Sequence, residues 1–559
     1  MAIRKNHNEI DFDEILLDAA NLPDFHQGSM EGVIEHPIRK KATIFLGGAF
    51  GVLGLIFFAR VFFLQVVKGE ALRERSENNY LRIVKEEPGR GLIYDRNGKV
   101  LAGSEFLDNL SRRVYPPEGF LHVLGYLSYA DSPDSPYGAS GLEASYDEIL
   151  RGKPAKKAEE IDAKGNILSA GILEKEEKGR NIISSISYDL QLKLYHEIKR
   201  ISDERRFKGG AGIFIDIKTG ELLSLVSFPD FDPNILQKKA APEVISGLVN
   251  NPRQPFFNRA ISGLYPPGSA LKPAIAAAVL NENLVNPDKQ FLSTGALTLP
   301  NIYDPDHPNV FPDWKAHGWV DMRRAIAMSS NVYFYIVGGG YGDQKGLGVS
   351  NINKYLKQFG FAEKTGIDIP AEKAGMLPDP NEKSDGRDWS IGDTYNLSIG
   401  QGNIGVTPIE MATYVATLAN KGSAPYPHLI KAISARDNNG DIEKLTYPFK
   451  ENILSTEIFN TIHEAMRDAV LFGTAQGLGS LPIKIAAKTG TAEIGDTGKV
   501  DSWSIGFFPY EAPTIAYVIM LEAGPRENVI GATAVAAEVI RWISDTGFLS
   551  QMNSGILNH

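Results

Sequence analysis

The stretch YPPGSALKPA, Tyr265 to Ala274, decides how the rest of the chain is read. Pro266, Pro267 and Gly268 impose an extended approach followed by a tight turn. Ser269 and Lys272 come next, at the mouth of an apolar helix. An i, i+3 spacing on a helix puts both side chains on one face, near hydrogen-bonding distance. Pro273 is tolerated because first-turn N–H groups have no intrahelical acceptor. The helix continues as AIAAAVL, apolar on every side, which predicts burial with only its N-terminus open to a cleft.

A serine hydroxyl is a poor nucleophile without a base beside it. Lysine is that base only when neutral, and at an ordinary pKa of about 10.4 roughly one amine in 2,500 is neutral at pH 7. A downward shift of about three units, or ~4 kcal/mol, needs desolvation plus a second cation. The buried helix supplies the first condition, and another lysine must supply the second. A Ser-x-x-Lys spacing is frequent by chance, so the pair needs partners elsewhere.

Two stretches supply them. In DMRRAIAMSSNVYFYIV, Asp321 is placed to cap a short helix that ends at Ser329-Ser330-Asn331. In IKIAAKTGTAEIG, an apolar strand runs into Lys488-Thr489-Gly490-Thr491, and Gly490 would let a substrate backbone approach the strand edge. SWSIGFFPY, from Ser502, reads as the neighbouring strand. Lys364-Thr365-Gly366 repeats the same three letters but reads as a loop entering a short strand, so Lys488 is the candidate. Taken alone, Ser329 and Asn331 are also ordinary helix-capping residues and Thr489 an ordinary strand threonine.

At 559 residues the chain holds two or three folding units. Its 43% hydrophobic and 23% charged composition is that of a globular protein. A net charge of -10 argues against nucleic acid as the main partner. With no cysteine, disulfides, thiolate metal sites and a cysteine nucleophile are excluded. Asp304, Asp306, His307, Asp313 and His317 invite a zinc reading, but without helical histidine spacing they read as a solvated loop.

From Ala42 to Ala59 there is no charge, and VFFLQVV extends the run to Val67 past Arg60. The uncharged part alone would span roughly 27 Å as a helix, close to a bilayer core. A cleaved signal peptide would not follow so long a polar leader, so this reads as an uncleaved anchor. Arg39, Lys40 and Lys41 on one side, and Lys68, Arg73 and Arg75 on the other, lean only slightly towards an N-inside orientation. The predicted organisation is a tail (1–41) with a transient helix in IDFDEILLDAA, an anchor (42–67), a pedestal region (68–180), a catalytic domain (181–549) and a C-terminal tail (550–559). In the catalytic domain QLKLYHEIKRI reads as an amphipathic helix, and AGIFIDIKTGELLSLVSF as two strands about Lys218-Thr219-Gly220. TIAYVIMLEAG reads as a further strand and GATAVAAEVIRWI as a terminal helix. The class is α+β, with strands from both ends of that domain meeting in one antiparallel sheet flanked by helices.

The three motifs, in this order, are those of penicillin-binding proteins and class A β-lactamases. RGLIYDRNGKVLA, SGLEASYDEILRG, SFPDFDPN, FNRAISGLYPPGSALKP and SIGQGNIGVTPIEMA extend the likeness from the anchor nearly to the C-terminus. The chain resembles a class B penicillin-binding protein, and DWKAHGWVD points to the elongation type, penicillin-binding protein 2-like. The resemblance implies a peptidoglycan D,D-transpeptidase working through a serine acyl-enzyme, with carboxypeptidase side activity and no cofactor or metal. Ser269 would be the nucleophile, Lys272 its base, and Ser329 the proton relay. Asn331 would hold the stem amide and Lys272. Lys488 would be the second cation and, with Thr489, Gly490 and Thr491, would bind the substrate carboxylate. Implied partners are lipid II-derived stem peptides, β-lactam antibiotics and a RodA-like SEDS glycosyltransferase. The implied location is the cytoplasmic membrane, single-pass, with the catalytic domain outside. Gln401 and Gly402 are candidates for lining the cleft or for simple turn geometry. Two departures stand out: Ala270-Leu271 replace the usual Thr-Phe after the serine, and GSEFLDNLSRRVYP nearly closes the space where the family carries a head module. A membrane-anchored β-lactamase-like hydrolase and a scaffold that activates a SEDS-type glycosyltransferase are the alternative readings.

Overall fold

The computed structural model describes residues 40–553, apart from 74–80, 108–109, 129–135, 162–166, 238–240, 302–303, 383–386, 435–441 and 452. Two compact units divide the chain, the first comprising Met1–Ile83 with Ala158–Gly171 and the second the remainder. In the first unit, helix α1 (Lys40–Phe62) continues through a π-helical turn, Phe63–Val67. Its Phe45, Phe57 and Phe58 are exposed along the shaft, a surface that water would not favour and hydrocarbon would. One helix among the described residues, Thr43–Val67, is long and apolar enough to cross a membrane. The expected anchor, 42–67, falls on it, and the transient helix expected near the N-terminus lies outside the described residues.

The second unit is built on a five-stranded sheet. Helix α2 (Tyr188–Arg205) starts at Ser187, whose hydroxyl accepts from Leu190 N, and leads into strands β1 (Gly209–Asp216) and β2 (Leu222–Phe228). Asp216 Oδ1 accepts from the N–H groups of Lys218 and Thr219 and so shapes the predicted turn. Strands β3 (Ala486–Glu493), β4 (Lys499–Phe508) and β5 (Ile515–Pro525) complete the sheet in the order β2-β1-β5-β4-β3. β1 pairs antiparallel with β5, Ile213 opposite Val518, so the two ends of the domain do meet in one sheet.

Period-two alternation divides the sheet between two cores. Phe214, Tyr517 and Ile519 face α2 and the helix Ala532–Asp545, which a short last helix, Phe548–Asn553, follows. Ile213, Val518, Met520 and Trp503 face a mostly helical layer that includes Lys272–Asn281, Asn331–Gly339 and Pro408–Ala419. β3 lies at the sheet's edge, against the helical layer, and thereby presents its residues to the nucleophile region.

Two expectations about strands need correction. β3 does not run into Lys488-Thr489-Gly490-Thr491; it begins at Ala486 and carries them at its centre, because pairing with β4 sets its limits. No strand follows Lys364-Thr365-Gly366. Glu372 accepts from Thr365 N, Thr365 Oγ1 and Gly366 N, and these bonds close the segment as a loop.

The pedestal strands Ile93–Tyr94, Val100–Leu107 and Leu110–Val114 share a six-stranded sheet with Ile182–Ser184, Ile430–Ser434 and Ile442–Lys444. Beside that sheet, the fully buried Glu143 accepts from Arg90 Nε (2.8 Å) and Arg113 Nε (2.7 Å). Removing the carboxylate leaves the buried Arg113 without an anion and Arg90 with Asp147 alone, so Glu143→Ala is expected to cost about 3–5 kcal/mol. Urea unfolding of the detergent-solubilised protein checks this, and a cost under 1 kcal/mol would contradict it.

Candidate active site

The segment Gly268–Leu271 is a 3-10 turn, and helix α3 (Lys272–Asn281) begins only at the lysine. Three residues per turn still set positions 269 and 272 above one another. Backbone contacts from three directions fix the turn. Gly268 N donates to Gly400 O (2.9 Å), and Trp503 Nε1 donates to Pro266 O (3.0 Å). Gly268 has φ +53, and a Cβ there would stand 2.7 Å from Thr491 O. Ser269 is half-buried, whereas Lys272 has no exposed surface.

Helix α4 (Met322–Met328) is capped by Asp321, whose Oδ1 accepts from Arg324 N, as the sequence predicted. Ser329 terminates it with φ +60, a left-handed conformation that costs a non-glycine residue about 1–2 kcal/mol. Ser330 then caps helix α5 (Asn331–Gly339). This break between two helices points Ser329 and Asn331 at the lysines. Lys272 Nζ donates to Ser329 O (2.8 Å), Asn331 Oδ1 (2.7 Å) and, at 3.3 Å, Ser329 Oγ. Lys488 Nζ donates to Ser329 Oγ (2.9 Å) and Thr489 O (2.8 Å). One hydroxyl therefore bridges two buried amines.

Burial pushes the Lys272 ammonium down to about 7, against an upward pull from Asp313. Lys488 is held well below its ordinary value, first by burial and then by Lys272. A second lysine does stand beside Lys272, but burial and not Lys488 lowers Lys272, and the charge effect runs from Lys272 onto Lys488. A neutral Lys272 has two hydrogens, enough for its two short bonds, and the lone pair takes the third direction. That is the state a general base needs at neutral pH.

The structure brings together Ser329, Asn331, Lys272 and Lys488 through hydrogen bonds, and sets Thr491 beside Gly268. Thr489 points elsewhere: its Oγ1 donates to Thr474 Oγ1 at 2.6 Å. Both threonines, with Gly490, Thr491, Ser502 and Trp503, line a cleft of about 630 Å³ walled by α2 and the helix Ala532–Asp545; Ser269, Lys272 and Ser329 are not part of its lining. Gly490 was expected to leave room for substrate. A Cβ there would meet Pro267 O at 2.8 Å and Ala270 N at 3.1 Å, so the close approach it permits is to the nucleophile turn itself. Gln401 N donates to Asn396 O, and Gly402 has φ +85, so this pair takes part in a turn. Its functional neighbour is Gly400, where a Cβ would clash with Gly268 O at 2.2 Å.

The solvated-loop reading of the acidic–histidine cluster is half wrong. Asp304 and His307 form an exposed pair, but the side chains of Asp313 and His317 are 0% and 1% exposed. They are buried because Asp313 is tied to the Ser330 turn. Thr474, Gly400 and Asp313 are the site residues that sequence reasoning missed; only Gly400 carried a signal, in SIGQG. Among the described residues, no group of three or more His, Asp or Glu side chains is placed to hold a metal ion.

Residues 210–543 match the penicillin binding protein transpeptidase domain, and residues 105–184 match the penicillin-binding protein dimerisation domain. The chain is 28% identical to the peptidoglycan D,D-transpeptidase MrdA of Acinetobacter baumannii, over 87% of this chain and 86% of that protein. It is 25% identical to MrdA of Escherichia coli K12, over 93% and 95% of the two chains. Among solved structures it is similar to Pseudomonas aeruginosa PBP2 in complex with WCK 5153, at 28% identity and a TM-score of 0.68, covering 84% of this chain and 97% of that one. A chain of a peptidoglycan synthase complex that coordinates polymerization and crosslinking is also similar, at 26% identity and a TM-score of 0.69, covering 90% and 97%.

Proposed function

This chain belongs to the penicillin-binding protein transpeptidase family, and from that premise we propose that it is a peptidoglycan D,D-transpeptidase that crosslinks stem peptides during cell elongation, with Ser269 as nucleophile. The observation that carries the reading is the Lys488–Ser329–Lys272 chain of buried hydrogen bonds, set one turn from Ser269. Neutral Lys272 takes the proton as Ser269 Oγ attacks the carbonyl between two D-alanines. The N–H groups of Ser269 and Thr491 receive the developing oxyanion. Ser329 passes the proton on to the leaving amine, and D-alanine departs. Asn331 holds Lys272 through Oδ1 and offers its amide to the stem. On the edge strand, Lys488, Thr489 and Thr491 would bind the terminal carboxylate, for which Thr489 Oγ1 would exchange its bond to Thr474. An amine from a neighbouring stem then attacks the acyl-enzyme and gives its proton to Lys272, which passes it to Ser269 Oγ as the ester bond breaks, forming the crosslink and restoring the free serine. Water in place of that amine would give carboxypeptidase side activity.

Peptidoglycan lies outside the cytoplasmic membrane, so the anchor α1 would leave the N-terminus in the cytoplasm and the catalytic domain, 181–549, outside. The relatives named MrdA and the likeness to a chain of a peptidoglycan synthase complex support a glycan-polymerising partner of the RodA-like SEDS kind. β-Lactams would acylate Ser269 as substrate mimics. The chemistry calls for no cofactor.

The test is intact-mass and peptide mass spectrometry after incubation with a labelled penicillin. One adduct on the peptide carrying Ser269, lasting minutes or longer, is the expected result. A label on any other side chain would overturn the nucleophile assignment. Turnover within seconds would indicate a hydrolase instead.

A further inference from the structure

The carboxylate of Asp313 lies behind the Ser329–Ser330–Asn331 turn, on the loop between strands Asn309–Pro312 and Gly318–Val320. Its side chain is wholly buried. Oδ2 accepts from Ser330 Oγ (2.8 Å), Val332 N (3.0 Å) and Ser293 Oγ (3.2 Å), and Oδ1 accepts from Trp314 N (2.9 Å). The bonds from Ser330 and Val332 reach the two residues that flank Asn331. An anion at the start of α5 also meets the unpaired N–H groups and positive end of that helix. Ser329 takes its left-handed conformation as the C-cap of α4, with Ser330 N bonded to Ala325 O at 3.0 Å, and the Asp313 anchorage fixes the residues that follow it.

Asp313 is also the negative charge felt by Lys272. Burial pushes its own carboxyl up, but bonds from the Asn331 and Val332 N–H groups and the Ser330 hydroxyl outweigh that and keep it ionised. The titratable groups around it are few. His317 Nε2 stands 3.4 Å from Oδ1 and is kept neutral chiefly by burial, so it does not cancel the charge. Lys315 lies on the same loop with its ammonium over the Trp314 ring. Tyr335, on α5, donates to Pro312 O and stays protonated through burial. Lys272 and Lys488 complete the set.

We propose that Asp313 is a positioning residue for acyl transfer: through Ser330 and Val332 it clamps the turn that presents Ser329 and Asn331, and behind that turn it is the counter-charge for Lys272. The inference rests on the acyl-transfer reading above and adds to it a residue outside the three motifs. Ser330, between the motif's two working residues, becomes the clamp's handle.

The experiment measures the acylation rate by a fluorescent penicillin between pH 5 and 9 for wild type, Asp313→Asn and Ser330→Ala. Asparagine keeps the shape and an accepting oxygen but removes the charge. Lys272 then loses its proton more readily, and the midpoint of the acid limb is expected to fall by about one pH unit. Ser330→Ala keeps the charge and loses one tether, so its rate is expected to drop about tenfold at every pH with the midpoint unmoved. An Asp313→Asn profile with the wild-type midpoint overturns the counter-charge role. A Ser330→Ala rate equal to wild type overturns the clamp, and that variant decides the matter alone if Asp313→Asn does not fold. Absence of any wild-type adduct on Ser269 would overturn the acyl-transfer reading itself.

Discussion

Ser269→Ala is expected to give no penicillin adduct at any time and to lower crosslinking by about 10⁶-fold, to the limit of detection. The side chain is half-buried and small, so its loss leaves the turn intact. Gly268, Gly400 and Trp503 hold that turn through backbone contacts the mutation does not touch. The melting temperature should therefore stay close to wild type. The same variant separates catalysis from scaffolding. In a reconstituted system with a membrane glycosyltransferase, glycan polymerisation that survives while crosslinks vanish would mean the chain carries both roles. Crosslinks that survive would remove Ser269 from the chemistry.

Lys272→Met is the second large effect. Methionine fills the buried volume beside Phe334, whose ring lies 5.4 Å from the ammonium nitrogen. Loss of the base should slow acylation by about 10²–10⁴-fold, the span of general-base contributions and less than loss of the nucleophile. Stability should respond in a direction fixed by the sign of the pKa shift. The folded value of about 7 lies below the unfolded value of about 10.4. Between them the unfolded chain binds a proton that the folded chain does not, so this group adds stability as pH rises through that window. The wild type should gain up to about 1.4 kcal/mol per pH unit from it, and Lys272→Met should lack that slope. Denaturant unfolding at pH 7, 8, 9 and 10 reads the difference. Parallel curves would show that Lys272 is not held neutral by the fold.

The cap at Asp321 and the hairpin about Lys218-Thr219-Gly220 were legible because each is a local pattern with a local cause, whereas the 3-10 turn that carries Ser269 reads in the sequence as part of the helix. The pairing of the first and last strands of the domain was legible too, since apolar runs at both ends leave few ways to bury both. What escaped was tertiary. Thr474 pairs with Thr489 only because the segment after helix Thr456–Leu471 comes to rest against the edge strand. Asp313 looked like one acid among several in a polar stretch, and only the fold shows that it is buried and His307 exposed. Gly490 was read for what a ligand would need, whereas its neighbour is the protein's own backbone. The limits of β3 were misplaced because pairing with β4, and not apolar content, decides where that strand starts.

The antiparallel pairing of β1 with β5 has a consequence for how the polypeptide is made. About 300 residues separate Phe214 from its cross-strand neighbour Tyr517. At about 5–20 residues per second, a ribosome needs ~15–60 s to supply the missing partner. For that interval the early hairpin has one row of N–H and C=O groups unpaired and apolar faces uncovered. Such a nascent chain invites holding chaperones and is prone to stick to others like it. A stop codon anywhere before Ile515 would yield an insoluble or degraded fragment, never a weakened enzyme.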